Sequence, residues 1–168
     1  MQPRREGRPS GWISRARDER GVVAIEFALI LPLLLFVLFG IIDFARALNY
    51  LNDSNQIAAQ GARLAAVNNN PNAPSSLQSY LNTFADTPEL KTGSDQVTQP
   101  ITTCIETPTN AATGTSRLVG DPVRVTVTSK FKLLPIVGLA TLTLKGNAVM
   151  RIERAPTAAV WTPNASCP

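Results

Sequence analysis

The stretch from Phe27 to Ile42 holds sixteen residues without a charge. Counted from Val22, the apolar segment runs 21 residues, interrupted only by Glu26. As a helix rising about 1.5 Å per residue it extends about 32 Å, against a hydrocarbon core of about 30 Å. The segment is long enough to span a bilayer, and the chain reads as a single-pass membrane protein. Pro32 removes the helical donor for the carbonyl of Ala28 and predicts a bend, a defect that membrane helices tolerate.

Charge gives this segment a direction. Residues 1–20 carry six arginines against Glu6, Asp18 and Glu19, so +3 of the chain's net +4 precedes the apolar run. Basic residues beside a span stay on the cytoplasmic side, which places everything after Asp43 outside. The basic arm has one aromatic ring, Trp12, and lacks the interleaved aromatics that stack on bases, so no nucleic acid partner is expected. The 168 residues include no histidine, which removes His-based triads, imidazole bases and His-ligated metals. Two cysteines without a CxxC motif leave no cysteine-rich metal site, and no metal or cofactor is expected.

The helical pattern continues beyond the membrane. Ile41, Phe44, Leu48, Leu51, Asn55, Ala58, Ala62 and Ala65 alternate spacings of three and four, predicting one helix to about Ala66. Ala45-Arg46-Ala47 has the small-x-small form of a signal peptidase site, and cleavage after Ala47 would yield a secreted protein. The helical pattern runs straight through that site, which argues against cleavage there. Along the stripe bulky residues give way to Ala58, Gly61, Ala62 and Ala65. Such small residues let a neighbouring backbone approach closely, either the chain's own sheet or another subunit. Asn68-Asn69-Asn70-Pro71 is expected to stop the helix.

Glu26 is the anomaly. A charge in an apolar span costs about 2.5–3.5 kcal/mol at the centre even on lenient scales. One reading has Glu26 snorkel to the interface or carry a proton. The other gives it a cation: if the chain is cut after Gly21, Val22 becomes a free ammonium one helical turn away, on the same chain or on a neighbour. Gly21-Val22-Val23-Ala24-Ile25-Glu26-Phe27, following a short basic leader, is similar to the type IV prepilin pattern. The run continues through Pro32 to Gly40-Ile41-Ile42-Asp43-Phe44-Ala45-Arg46, with Gly61-Ala62-Arg63 and Ala65-Ala66 later. Over residues 21–66 it closely resembles the TadE-like family of tight-adherence (Flp-type) pilus assembly systems. The resemblance implies a pseudopilin trimmed by a prepilin peptidase, with Gly21 before the cut, Val22 as new N-terminus and Glu26 as assembly carboxylate. Its implied partners are other pilin or TadE-like subunits and the inner-membrane pilus assembly machinery, beside the lipid bilayer. An aliphatic Val22 departs from the family's usual residue after the cut.

Beyond the helix, Pro74-Ser75-Ser76 can start and cap a short helix to about Ala85, with Leu77, Tyr80, Leu81 and Phe84 on one face. Residues 86–95 read as a linker. Val97–Ile105 predicts a strand that Pro100 demotes to an edge, and 106–120 a long loop. Val123, Val125 and Val127 alternate with polar residues. From Leu142 onward Leu142, Leu144, Ala148, Met150 and Ile152 face one way; Thr141, Thr143, Lys145 and Arg151 face the other. The apolar connection 133–139 is read as a cap on the sheet, a membrane contact or a partner contact. Three antiparallel strands need a cover on their apolar face, and the long helix is the candidate.

Cys104 and Cys167 fall outside the membrane, and an even, extracytoplasmic pair favours an internal disulfide between them over two free thiols or pairing with another chain. No phosphate loop or nucleophile elbow appears, and Asp86, Glu89, Asp95, Glu106 and Asp121 sit in or near loops, so no catalysis is expected. The expected architecture is α+β, type IV pilin-like: a long helix packed on a small antiparallel sheet. Its parts are a leader 1–21, a span 22–42, an amphipathic extension 43–67, a linker with a short helix 68–95, a β domain 96–154 and a Pro-rich tail 155–168. The rival to a pseudopilin is a membrane-anchored extracytoplasmic binding or adhesion module.

Overall fold

The computed structural model describes residues 15–73, 75–114, 116–133, 140–155, 161, 163–164 and 167. Most of the leader, Pro74, the apolar connection 134–139, Pro156 and Pro168 lie outside the described residues. The elements are α1 (Arg15–Ala66), α2 (Leu77–Asn82), α3 (Pro88–Thr92), β1 (Val97–Glu106), β2 (Pro122–Leu133) and β3 (Ala140–Arg151). The fold is α+β, with one candidate membrane span within α1. The chain divides into two units, Met1–Gly40 and Ile41–Pro168.

In the first unit α1 begins at Arg15, so its first seven residues belong to the expected leader, and it continues through Pro32. Residues 21–39 are exposed on every side, including Val22, Phe27, Leu33 and Phe39. A helix apolar all round and covered by no protein matches lipid as its solvent.

The second unit packs the rest of α1 and α2 on one face of an antiparallel sheet ordered β1-β2-β3. Tyr50 meets Phe131, with ring centroids 5.6 Å apart, while a Cβ at Gly61 would sit 3.1 Å from Val125. As α1 advances from Tyr50 to Gly61, its contact thus moves backward along β2. Val123, Val125, Val127 and Phe131 point into this core and are fully buried. On β3, Gly146 faces inward between Leu144 and Ala148, where a Cβ would come within 2.5 Å of the Ser54 carbonyl oxygen. The helix crosses β3 there backbone to backbone.

Local rules account for the ends of the elements. Asn68 adopts a left-handed conformation (φ 53°) just past α1, and the Asn69 N–H donates to Leu64 O at 2.9 Å. The last carbonyl of the helix, Ala66, accepts from Glu153 and Arg154. Asn is the commonest non-glycine residue for such a stop. Ser76 caps α2 by accepting from the Ser79 N–H. β1 lies at a sheet edge, where Pro100 needs no ladder donor, and its register shifts around Gln99. Cys104 and Cys167 form a disulfide with Cα atoms 5.7 Å apart.

Four expectations change. The bulky half of the predicted stripe faces outward: Phe44 and Leu48 are 59% and 45% exposed, and Ile41 is exposed too. The buried face runs instead through Asp43, Ala47, Tyr50, Ser54 and Ile57 before meeting Ala58, Ala62 and Ala65. The sheet accepts small or hydrogen-bonded residues at Asp43, Ala47 and Ser54, and Tyr50 and Ile57 supply the bulk on the same face. Second, the linker 86–95 contains α3, whose Leu90 is fully buried. Third, α2 ends at Asn82 rather than near Ala85 because Thr83 and Phe84 tighten into turns on Tyr80 and Leu81. Fourth, Leu142 on β3 is 40% exposed rather than core, since the helix crosses further along at Gly146.

Candidate functional site: the apolar helix and its polar clamp

The candidate site is α1 itself, read unit by unit. In the first unit, Gly21 and Val22 lie on one turn of α1 and Glu26 on the next. A Cβ at Gly21 would meet nothing within 4 Å, and Glu26 is exposed. The Gly21–Val22 bond is within helix rather than in a loop.

In the second unit α1 starts with a clamp. Asp43 and Arg46, three residues apart, lie on one side of the helix, and both reach Gln96 at the entrance to β1. The Gln96 Nε2 donates to Asp43 Oδ1 at 3.1 Å, and Arg46 Nη1 donates to Gln96 Oε1 at 3.0 Å. The Gln96 backbone carbonyl also accepts from the Lys132 N–H at 2.7 Å, which ties the residue's main chain to β2. Asp43 is 5% exposed. A planar amide between a carboxylate and a guanidinium satisfies both with one side chain, and charged partners make such bonds about twice as strong as neutral ones. Around it Arg46, Tyr50, Glu89, Ser94 and Asp95 line a shallow depression of about 320 Å³. Burial, and next the carboxylate of Glu89, push the Tyr50 hydroxyl above its ordinary range, with Arg46 opposing.

Further along the helix, Asp53 is buried and its Oδ2 accepts from the Asp86 N–H at 3.0 Å, just ahead of α3. Burial raises its carboxyl above the usual Asp range, while the N–H groups of Asp86 and Thr87 oppose the shift. Ser54 is fully buried and donates back to the Tyr50 carbonyl at 2.9 Å. Ala58, Gly61, Ala62 and Ala65 are buried within the chain, and the Gly61 position faces Leu81 of α2 and Val125 of β2. Of the two surfaces the small residues suited, the chain's own core is the one they meet here. Ala47, the last residue of the signal-peptidase-like triplet, is buried inside α1.

Sequence reasoning missed the clamp. Asp43 and Arg46 were visible as the close of the Gly40-to-Arg46 motif, and their spacing of three put them on one helix side, but nothing in the sequence pointed to Gln96. Trp161 was also missed: it is among the largest fully buried side chains, within a tail that read only as Pro-rich. Among the described residues no group of acidic or cysteine side chains is placed to hold a metal.

Among the described residues one apolar helix is long enough for a bilayer, and with the small disulfide-closed domain of three antiparallel strands that follows it defines an α+β protein compatible with a single-pass membrane anchor. Residues 21–66 match the family described as TadE-like protein, the segment in which the resemblance lies. No curated protein and no solved structure matches the chain. A TadE-like segment suggests a role associated with the Tad pilus, in a family that is generally non-catalytic.

Proposed function

We propose that this chain is a TadE-like pseudopilin or minor pilin that acts, without catalysis, in assembly of a tight-adherence pilus. A prepilin peptidase cuts after Gly21 and removes the leader 1–21. The span 22–42 then sits in the cytoplasmic membrane with the α+β domain outside, and Glu26 pairs with the new Val22 ammonium of its own chain or a neighbour. Other pilin or TadE-like subunits and the inner-membrane assembly machinery are the partners.

The observation that carries this reading is the family match over residues 21–66, the segment that holds both the Gly21/Glu26 spacing and the uncovered apolar helix. Burial of Ala47 inside α1 supports retention of the anchor over secretion. Mass spectrometry of the membrane-extracted protein tests it. A chain starting at Val22 is expected. One starting at Leu48 makes this a secreted protein, and one retaining residues 1–21 beside an active peptidase leaves an anchored binding module. The Glu26→Ala variant should insert normally, because it removes a charge from the apolar span, where even near an end a charge is a penalty rather than a help, yet assemble poorly. Filament yield equal to wild type would remove the paired-amine role.

A further inference from the structure

The two edges of the sheet are treated differently. At β1 the Ile105 carbonyl accepts from the Asn164 N–H at 2.7 Å, and the Ile105 N–H donates to Asn164 Oδ1 at 3.3 Å. The tail therefore covers this edge at Ile105, and Cys167 fastens it beside there. Because Ile105 turns outward, its partner Val125 bonds in the other direction, toward Ala148. Alternation along the ladder then gives Leu142, Leu144, Gly146, Ala148 and Met150 to β2. The donation from the Ile152 N–H to the Asp121 carbonyl agrees with this phase. The N–H and C=O groups of Thr141, Thr143, Lys145, Asn147, Val149 and Arg151 point off the far edge. No described segment pairs with them.

An edge on a strand of twelve residues that no described segment pairs is a template for another strand unless charge protects it. The charge here is of one sign. On the sheet face away from the helix, register places Arg124, Lys130 and Lys132 of β2 beside Lys145 and Arg151 of β3. Glu106, the one acidic residue that the strands place on this face, is paired with Arg124 at 2.8 Å. Two depressions of about 390 and 520 Å³ meet at Lys145. On the helix side, the same edge shows partly exposed Leu142 and half-buried Ala148 and Met150.

We propose that β3 is a docking edge that takes a strand of a partner protein whose residues alternate between acidic and apolar. Added as a fourth strand, its acidic side chains lie beside Lys145 and Arg151, and its apolar ones beside Leu142 and Met150. A second copy of β3 does not fit, because it brings its own Lys145 and Arg151 to a basic face. This goes beyond the assembly role above and does not depend on cleavage at Gly21.

The test uses the full chain in nonionic detergent and labelled peptides of about ten residues, the length of a long strand. One alternates Glu and Val, one alternates Lys and Val, and one scrambles the Glu/Val order. Anisotropy should show binding of the alternating acidic peptide only. Lys145→Glu/Arg151→Glu and, separately, Asn147→Pro should each weaken it by about tenfold or more. Asn147→Pro deletes an outward N–H and leaves the β2–β3 ladder whole. Hydrogen exchange on the wild-type chain provides a readout that needs no variant: the amides of the six outward residues should slow by about tenfold or more when the peptide binds. Failure of the acidic peptide to bind overturns the proposal. So does equal binding of the scrambled or basic peptide, undiminished binding to a folded Asn147→Pro variant, or protection of the outward amides before any peptide is added.

Discussion

At the residue scale, two glycines on the same interface are expected to respond differently. At Gly146 the atoms facing a new Cβ are backbone: Ser54 carbonyl oxygen at 2.5 Å and Asn55 nitrogen at 2.6 Å. Neither can rotate aside, so the helix must lift off β3. At Gly61 the nearest atom is the tip of Leu81 at 2.6 Å, a side chain that can turn, and alanine favours helix by about 1 kcal/mol over glycine. Urea unfolding should therefore show Gly146→Ala destabilised by about 2–3 kcal/mol and Gly61→Ala by under about 1 kcal/mol. Equal losses would mean that the helix does not touch β3 at Gly146. Asp53 carries a pH dependence of defined sign. Its folded pKa is raised by burial, so its contribution to stability is present below the ordinary Asp range, near pH 4, and lost as pH rises through the raised value. An asparagine at this position would keep an acceptor for the Asp86 N–H without the buried charge. The Asp53→Asn variant should gain on wild type as pH goes from about 3 to about 7, by paired denaturation curves. A difference independent of pH would show that Asp53 titrates alike in both states.

At the scale of elements, Gln96 is where β1 meets the start of the second unit's helix. Gln96→Ala removes the amide donor to buried Asp43 and the acceptor for Arg46 together. A loss of about 1–3 kcal/mol is expected, with faster amide exchange over residues 43–50 ahead of the rest of α1. Uniform loss along α1 would make the clamp only one contact among many. This element also shows what the sequence made legible. The helix was plain to its last turn, because spacings of three and four persist to Ala65 and three asparagines follow. Its phase was not, since Phe44 and Leu48 look like core whereas the core here takes Asp43, Ala47 and Ser54 through hydrogen bonds and close backbone approach. α3 was hidden because Pro88 and Gly93 punctuate a turn as readily as they bound five helical residues; buried Leu90 and the carboxylate of Asp53 hold it. Gly146 carries a legible signal of its own, a glycine on the apolar face of an alternating strand, which marks a close backbone approach. The valine alternation of β2 and the pairing of three strands were readable, because apolar side chains fill one face of the sheet while polar ones, some of them buried like Thr126 and Thr128, take the other.

At the scale of the whole molecule, the domain after the candidate membrane span is small, and small domains bury a modest fraction of their surface. A fastened tail offsets that. Cys167 bonds to Cys104, its N–H donates to Glu106 at 3.4 Å, and Asn164 covers the β1 edge at Ile105 while Trp161 is 1% exposed. The residues that hold the tail lie on β1 and at its end. The 63-residue separation of the cysteines constrains the unfolded chain, a contribution of about 2–4 kcal/mol. Reduction should act in two stages, because the tail alone can leave before the three-stranded core opens. The chain's two tryptophans are Trp12 and Trp161, so in a Trp12→Phe background emission reports the tail only. Adding a reductant, or replacing both cysteines with serine, should shift that emission to the red at a denaturant concentration where circular dichroism still shows the sheet. The loss of sheet should then follow about 2–4 kcal/mol earlier than in the oxidised chain. Emission and circular dichroism that move together in the reduced chain would mean that tail and sheet form one cooperative unit, with the bridge adding only to its total stability.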